Sequence, residues 1–86
     1  MFTMITQTEL KSKSISDIAF LIKKDWVKVN YAAVPYLEAM TFLNSIRDNY
    51  GYDSGTEIVL RFLGNASTYR GENAKMFKAE LKARLK

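Results

Sequence analysis

The chain has 86 residues, with 13 lysines or arginines against 9 aspartates or glutamates and neither histidine nor cysteine. That length holds one domain, and 48% hydrophobic, 13% aromatic and 26% charged residues are the proportions of an ordinary globular protein. Without cysteine there are no disulfides, thiolate nucleophiles or cysteine-based zinc sites; without histidine the commonest metal ligand and the usual near-neutral general base are gone.

Residues 1–13 show no sustained helical period. Alternation from Phe2 to Gln7 gives at most a lone strand with nothing to pair with, so this stretch is expected to be an extended or disordered arm. Ser14-Ile15-Ser16-Asp17 fits a capping box, in which the Ser14 hydroxyl and the Asp17 carboxylate satisfy free N–H groups of a first turn. Ile15, Ile18, Ala19, Ile22, Trp26 and Val29 then recur at three to four residues. They share an arc of about 100° and predict an amphipathic helix of roughly 15 residues.

Val34-Pro35 marks the next start, because proline suits the first helical position, where its missing N–H is not needed. Tyr36, Leu37, Met40, Leu43, Ile46 and Tyr50 predict the apolar face of a second helix, with Gly51 as the residue of positive φ beyond its end. Ser54-Gly55-Thr56-Glu57 is a second capping box. It opens a third helix with Ile58, Val59, Phe62, Leu63 and Ala66 inward, and Gly64-Asn65 weakens its end. Ser67 or Thr68 is expected to cap a fourth helix carrying Ala74, Phe77, Leu81 and Leu85. The fold class expected is therefore all-α: a small four-helix bundle-like domain over residues 14–86, preceded by the arm. At this size a dimer contact or a bound partner would add stability.

No apolar run approaches the ~18 residues a membrane helix needs. The opening MFTMITQTEL lacks the basic region, apolar stretch and small-residue cleavage site of a secretion signal. The cytoplasm is the expected location, and the sequon Asn65-Ala66-Ser67 is then a chance match.

Enzymatic chemistry finds little support. Asp48 and Asp53 flank a turn, while Glu38, Glu57 and Glu72 lie near helix starts, where acids complement the helix dipole. No Glu-x-x-His pair suggests a di-metal centre, and no glycine-rich loop leads into Lys-Ser/Thr. No cofactor, metal or small-molecule substrate is expected.

Charge is unevenly placed. Residues 1–69 carry seven cations and seven anions, whereas residues 70–86 carry six cations against Glu72 and Glu80. Lys75, Lys78, Lys82 and Lys86 form one stripe about 80° wide on the fourth helix, beside the Phe77/Leu81/Leu85 face. Such a stripe could neutralise phosphates of a nucleic acid, and Arg70, Lys75, Lys78 and Lys82 are the candidate contacts for that activity. The third helix, the Gly64 break and the fourth helix also approach the length of a helix-turn-helix, with Ser67, Thr68, Tyr69 and Arg70 opening the recognition helix. That match fails at Arg70, which stands where an apolar residue would tie the two helices together. The same lysines equally serve as a solvated, dipole-complementing face.

A second surface suits a protein partner. Phe20 and Val27 lie one heptad apart on the first helix, opposite its core face, with Lys23 and Lys24 around them. An apolar patch framed by charge can anchor an interface. Tyr31, Tyr36, Tyr50, Tyr52 and Tyr69 fall at helix ends and turns, and several could cluster between loops 50–53 and 67–71. Arg47 is expected to pack its stem on the second helix and pair with a carboxylate such as Asp53.

Asp25-Trp26, Tyr31-Ala32-Ala33-Val34-Pro35-Tyr36-Leu37-Glu38-Ala39-Met40, Tyr50-Gly51, Asp53-Ser54-Gly55, Ile58-Val59, Phe62-Leu63, Asn65-Ala66-Ser67-Thr68-Tyr69-Arg70-Gly71 and Glu80-Leu81-Lys82 together resemble small uncharacterised bacterial proteins associated with phages and mobile elements. The resemblance covers about two thirds of the chain. It implies a setting in which small proteins inhibit or redirect a host machine or regulate the element's own DNA, and it assigns no site residue. The sequence thus leads to a non-enzymatic helical protein-interaction module acting through Phe20, Lys23, Lys24 and Val27. The alternative is a nucleic-acid-binding regulator using the basic C-terminal helix.

Overall fold

The computed structural model describes residues 7–85, so residues 1–6 of the expected arm and Lys86 of the basic stripe lie outside the described residues. The rest of the arm is not extended. Gln7–Lys11 form a helix, α1, that packs against the last helix of the chain. Five residues are too few to hold a helix by propensity alone. Two tertiary ties hold this one: Leu10 is fully buried, and Arg84 Nη2 donates to the carbonyls of Leu10 (2.9 Å) and Lys11 (3.2 Å), which have no partner within the helix.

Ile15–Asp25 form α2, capped by the Ser14 hydroxyl, which accepts from the Asp17 N–H at 3.1 Å. Its inward face is Ile15, Ile18, Ala19 and Ile22, as the spacing requires. The helix stops at Asp25, four residues before its apolar period ends. Trp26 leaves helical geometry (φ −89°, ψ 89°) and turns its ring into the core.

Val34–Met40 form α3, with the proline in its first turn as expected. The helix does not continue to Tyr50. The Thr41 hydroxyl donates back to the Glu38 carbonyl at 2.6 Å, and Asp48 Oδ2 accepts from the N–H groups of Asn44 (2.8 Å) and Ser45 (3.2 Å). These local bonds compete with the helical ladder. The carbonyls of Leu43 and Asn44 are also claimed from afar, by the N–H groups of Ser16 (2.7 Å) and Ile15 (3.1 Å) at the start of α2. A helix through 43–44 would have withheld them.

The segment ends instead in a hairpin, β1 (Asn49–Tyr50) antiparallel to β2 (Asp53–Ser54), with Asn49 opposite Ser54 and Tyr50 opposite Asp53. Gly51 has φ +64° as expected, but as the first central residue of a two-residue hairpin turn rather than as a helix end. Positive φ there, and at no non-glycine residue among those described, Tyr52 included, is the pattern of a type II′ turn. Ser54 then caps α4 (Gly55–Gly64), accepting from the Glu57 N–H at 3.2 Å. Gly55 is needed for contact: a Cβ on it would meet the carbonyl oxygens of Ile46 at 2.7 Å and Asp48 at 2.8 Å.

The last helix, α5, spans Glu72–Arg84 and starts after Gly71 (φ 117°) rather than at Ser67 or Thr68. Ala74, Phe77 and Leu81 enter the core with Ile58, Val59 and Phe62 of α4 and the apolar faces of α2 and α3. The fold is all-α apart from the small hairpin. Its described residues hold five helices rather than four, because α1 is added; the expected second helix is cut short to α3, with the hairpin after it.

Candidate functional site

The site begins at Tyr69. Its ring is buried and stacks on Trp26, with centroids 4.8 Å apart and planes 14° apart, and Trp26 in turn meets Phe62 edge-on at 6.2 Å. The Tyr69 hydroxyl donates to Asp25 Oδ2 at 2.7 Å, while Asn73 Nδ2 donates to Asp25 Oδ1 at 3.0 Å. Burial, then the bond to Asp25 and the negative charge behind it, hold the phenol well above its ordinary range, so it keeps its proton. Residues 65–71 are thereby pinned as a non-helical connection between α4 and α5. This overturns the recognition-helix placement of Ser67–Arg70: the connection is too long for the turn of that motif, and Tyr69 faces inward.

With Tyr69 fixed, the residues around it gather positive charge. Arg70 projects outward and is exposed, and Gly71 takes a backbone conformation that side-chain-bearing residues rarely adopt. Lys75, Lys78 and Lys82 follow on α5 at spacings of three and four, on one face. Lys78 is half-buried; its ammonium donates to the Tyr69 carbonyl at 2.5 Å and sits 5.6 Å from the centre of the Tyr69 ring. Burial first, then the neighbouring charges of Lys82 and Arg70, lower its pKa.

Between the connection and α5 lies a cleft of about 300 Å³ lined by Ser67, Tyr69, Arg70, Gly71, Ala74, Lys75 and Lys78. Three cations line it and no carboxylate does. Arg70, Lys75 and Lys82 make no ion pair among the described residues. The structure therefore brings three of the four residues expected to meet nucleic acid around one cleft and places Lys82 one turn further along. Lys78 also carries a structural duty that its place in the stripe did not reveal. Ser67, expected as a cap, and Tyr69, expected at a helix start or in a tyrosine groove with Arg47 and Arg70 nearby, also belong to the cleft. The signal available for them was Gly71, a favourable residue immediately before a helix.

Arg84 does not join this surface. Its Nε donates to Glu80 Oε2 at 2.8 Å and its Nη2 to the end of α1, so part of the C-terminal charge excess is internal. Glu80 is itself buried.

The residues expected to meet a protein are arranged differently. Phe20 is 52% exposed on α2 and Val27 is 86% exposed, so both face outward. Because α2 ends at Asp25, however, Val27 lies beyond the helix and the heptad relation between them does not hold. Lys23 is tied to Glu38 by a 2.7 Å salt bridge and lies 6.0 Å from the Phe20 ring centre, while Lys24 is exposed and makes no ion pair among the described residues.

The tyrosines do not gather between the two loops. Tyr69 joins Trp26, Tyr50 pairs with Phe42 at 5.6 Å, and Tyr31 and Tyr52 are exposed. Arg47 is exposed beyond α3 and makes no ion pair with Asp53.

Among the described residues no group of three or more acidic side chains is placed to hold a metal, and no helix is long and apolar enough to cross a membrane. The comparisons with family models, curated proteins and solved structures find no match to this chain.

Proposed function

We propose that the chain is a non-enzymatic helical interaction module whose partner is a nucleic acid, held by Arg70, Lys75, Lys78 and Lys82. One observation carries this reading: four cations of one face, three of them around a single cleft, with no carboxylate in that cleft's lining. Lys75 to Lys82 extends about 10 Å along α5. That is the reach of about three phosphates at ~3.4 Å of duplex axis per strand. Lysine and arginine contacts of this kind bind the backbone through charge and counterion release, without reading sequence. The cytoplasm suits a cysteine-free protein of this type. Regulation of a phage's or mobile element's own DNA suits it as well, in keeping with the resemblance in its sequence.

Fluorescence anisotropy with a labelled DNA duplex at low salt tests the reading. Lys75 and Lys82 are exposed and outside the hydrogen-bond network, so Lys75→Glu with Lys82→Glu should keep the fold and lower affinity at least ten-fold. Unchanged affinity would remove this face as the contact.

Phe20 favours a second reading. A half-exposed phenylalanine beside Lys23, with Lys24 and Val27 also exposed, suits a protein partner whose binding inhibits or redirects a host complex. For that activity Phe20→Ser should abolish partner capture while leaving duplex affinity unchanged.

A further inference from the structure

The cleft is a different kind of receptor from the stripe beside it. A row of lysines along a helix meets a backbone that runs past it. A half-open cleft lined on one side by residues of the connection and on the other by residues of α5 brings its cations onto a compact group that enters it. Its volume lies at the lower bound of small-molecule sites, which run from ~300 to 1,000 Å³. It thus accommodates more than a bare inorganic ion.

We propose that this cleft binds a phosphate monoester, the terminal phosphate of a nucleic-acid strand or of a free mononucleotide, through Arg70, Lys75 and Lys78 with the Ser67 hydroxyl as a further donor. The inference rests on the nucleic-acid reading for the strand as source, but not for the chemistry of the site.

Charge selects the monoester. An internal phosphodiester carries one negative charge, whereas a phosphate monoester carries about −1.5 to −2 at pH 7 and offers three strong acceptor oxygens. Three cations without a lining carboxylate match the second. Lys78 adds an independent argument. Its half-buried ammonium has a carbonyl and an aromatic face as company but no counterion among the described residues, and Arg70 and Lys82 disfavour its charge. A dianion in the cleft supplies what it lacks. Arg70, exposed on the connection, is suited to bidentate phosphate contact.

The experiment compares one short deoxyoligonucleotide in 5′-phosphate and 5′-hydroxyl forms, by anisotropy, against the unmodified chain, Lys75→Ala, Arg70→Ala and Lys82→Ala. Adenosine 5′-monophosphate serves as competitor and, separately, as ligand in an NMR titration of backbone amides. The 5′-phosphate form should bind at least ten-fold tighter. Lys75→Ala and Arg70→Ala should erase that preference, while Lys82→Ala should weaken both forms equally and preserve it. Displacement by the free nucleotide at concentrations comparable to the strand's would make the mononucleotide the source; displacement only at far higher concentrations would make it the strand end.

Equal affinity for the two forms, or a preference that survives Lys75→Ala and Arg70→Ala, would overturn the proposal while leaving backbone binding intact. If no strand binds at all, the functional reading fails and the titration decides the cleft. Saturable shifts at Arg70, Gly71 and Lys75 uphold it, and their absence ends it.

Discussion

The Tyr69 hydroxyl donates a 2.7 Å hydrogen bond to the carboxylate of Asp25, forty-four residues earlier in the chain. This bond joins the end of α2 to the connection before α5, and it orients the carbonyl that receives Lys78. The shape of the candidate site therefore depends on a pair that lies behind it. Tyr69→Phe keeps the ring on Trp26 and removes only the donor. It should cost about 1.5–3 kcal/mol, the range for a hydrogen bond to a charged group. Urea unfolding of the two proteins measures it, and a difference below 0.5 kcal/mol would mean that the bond contributes little.

The same phenol makes stability fall in alkali. Its pKa in the folded chain is held above the ordinary value near 10, and in the unfolded chain it returns there. Below pH 10 both states keep the proton and the bond's contribution is complete. Above pH 10 the unfolded state ionises first, so this group lowers stability by about 1.4 kcal/mol for each further pH unit. Lys78 works in the opposite sense, because its folded pKa is lowered and loss of its proton relieves a disfavoured charge. The difference between the parent and Tyr69→Phe, followed by unfolding between pH 9 and 11, isolates the tyrosine. The gap between them should narrow as pH rises, and a constant gap would contradict the assignment.

Arg84 should matter to the fold more than to binding. It neutralises buried Glu80 and closes the end of α1, so Arg84→Met leaves a buried carboxylate without its cation and removes a donor from the Lys11 and Leu10 carbonyls, of which Leu10 keeps the Lys13 N–H. A loss of about 3 kcal/mol or more is expected, as for other broken buried pairs. Affinity for a duplex should stay within two-fold under conditions where the variant is folded. A stable variant with sharply reduced affinity would place Arg84 in the interface instead.

Elements held by local forces could be read from the sequence. The Ser14 and Ser54 caps, the Ile18/Ile22 and Ile58/Phe62 spacings and the Lys75/Lys78/Lys82 stripe each depend on residues within a turn or two. Where distant groups compete, that reading fails. Leu43, Ile46 and Tyr50 continue the helical period of α3, yet the Leu43 and Asn44 carbonyls bond the start of α2 and the chain becomes a hairpin. Leu10 gives no periodic signal in so short a helix and is legible only through Arg84, seventy-four residues away. The four cations of the candidate face were visible as types and spacings. The cleft that gathers three of them needed Tyr69 turned inward, which is set by Asp25 and Trp26.

The salt dependence of duplex binding tests the central claim most directly. If Arg70, Lys75, Lys78 and Lys82 each neutralise a phosphate, log K should fall against log salt with a slope of about −3.6. Lys75→Ala and Lys82→Ala should each reduce the steepness by about 0.9. No binding at low salt, or a slope that neither substitution changes, would contradict the account.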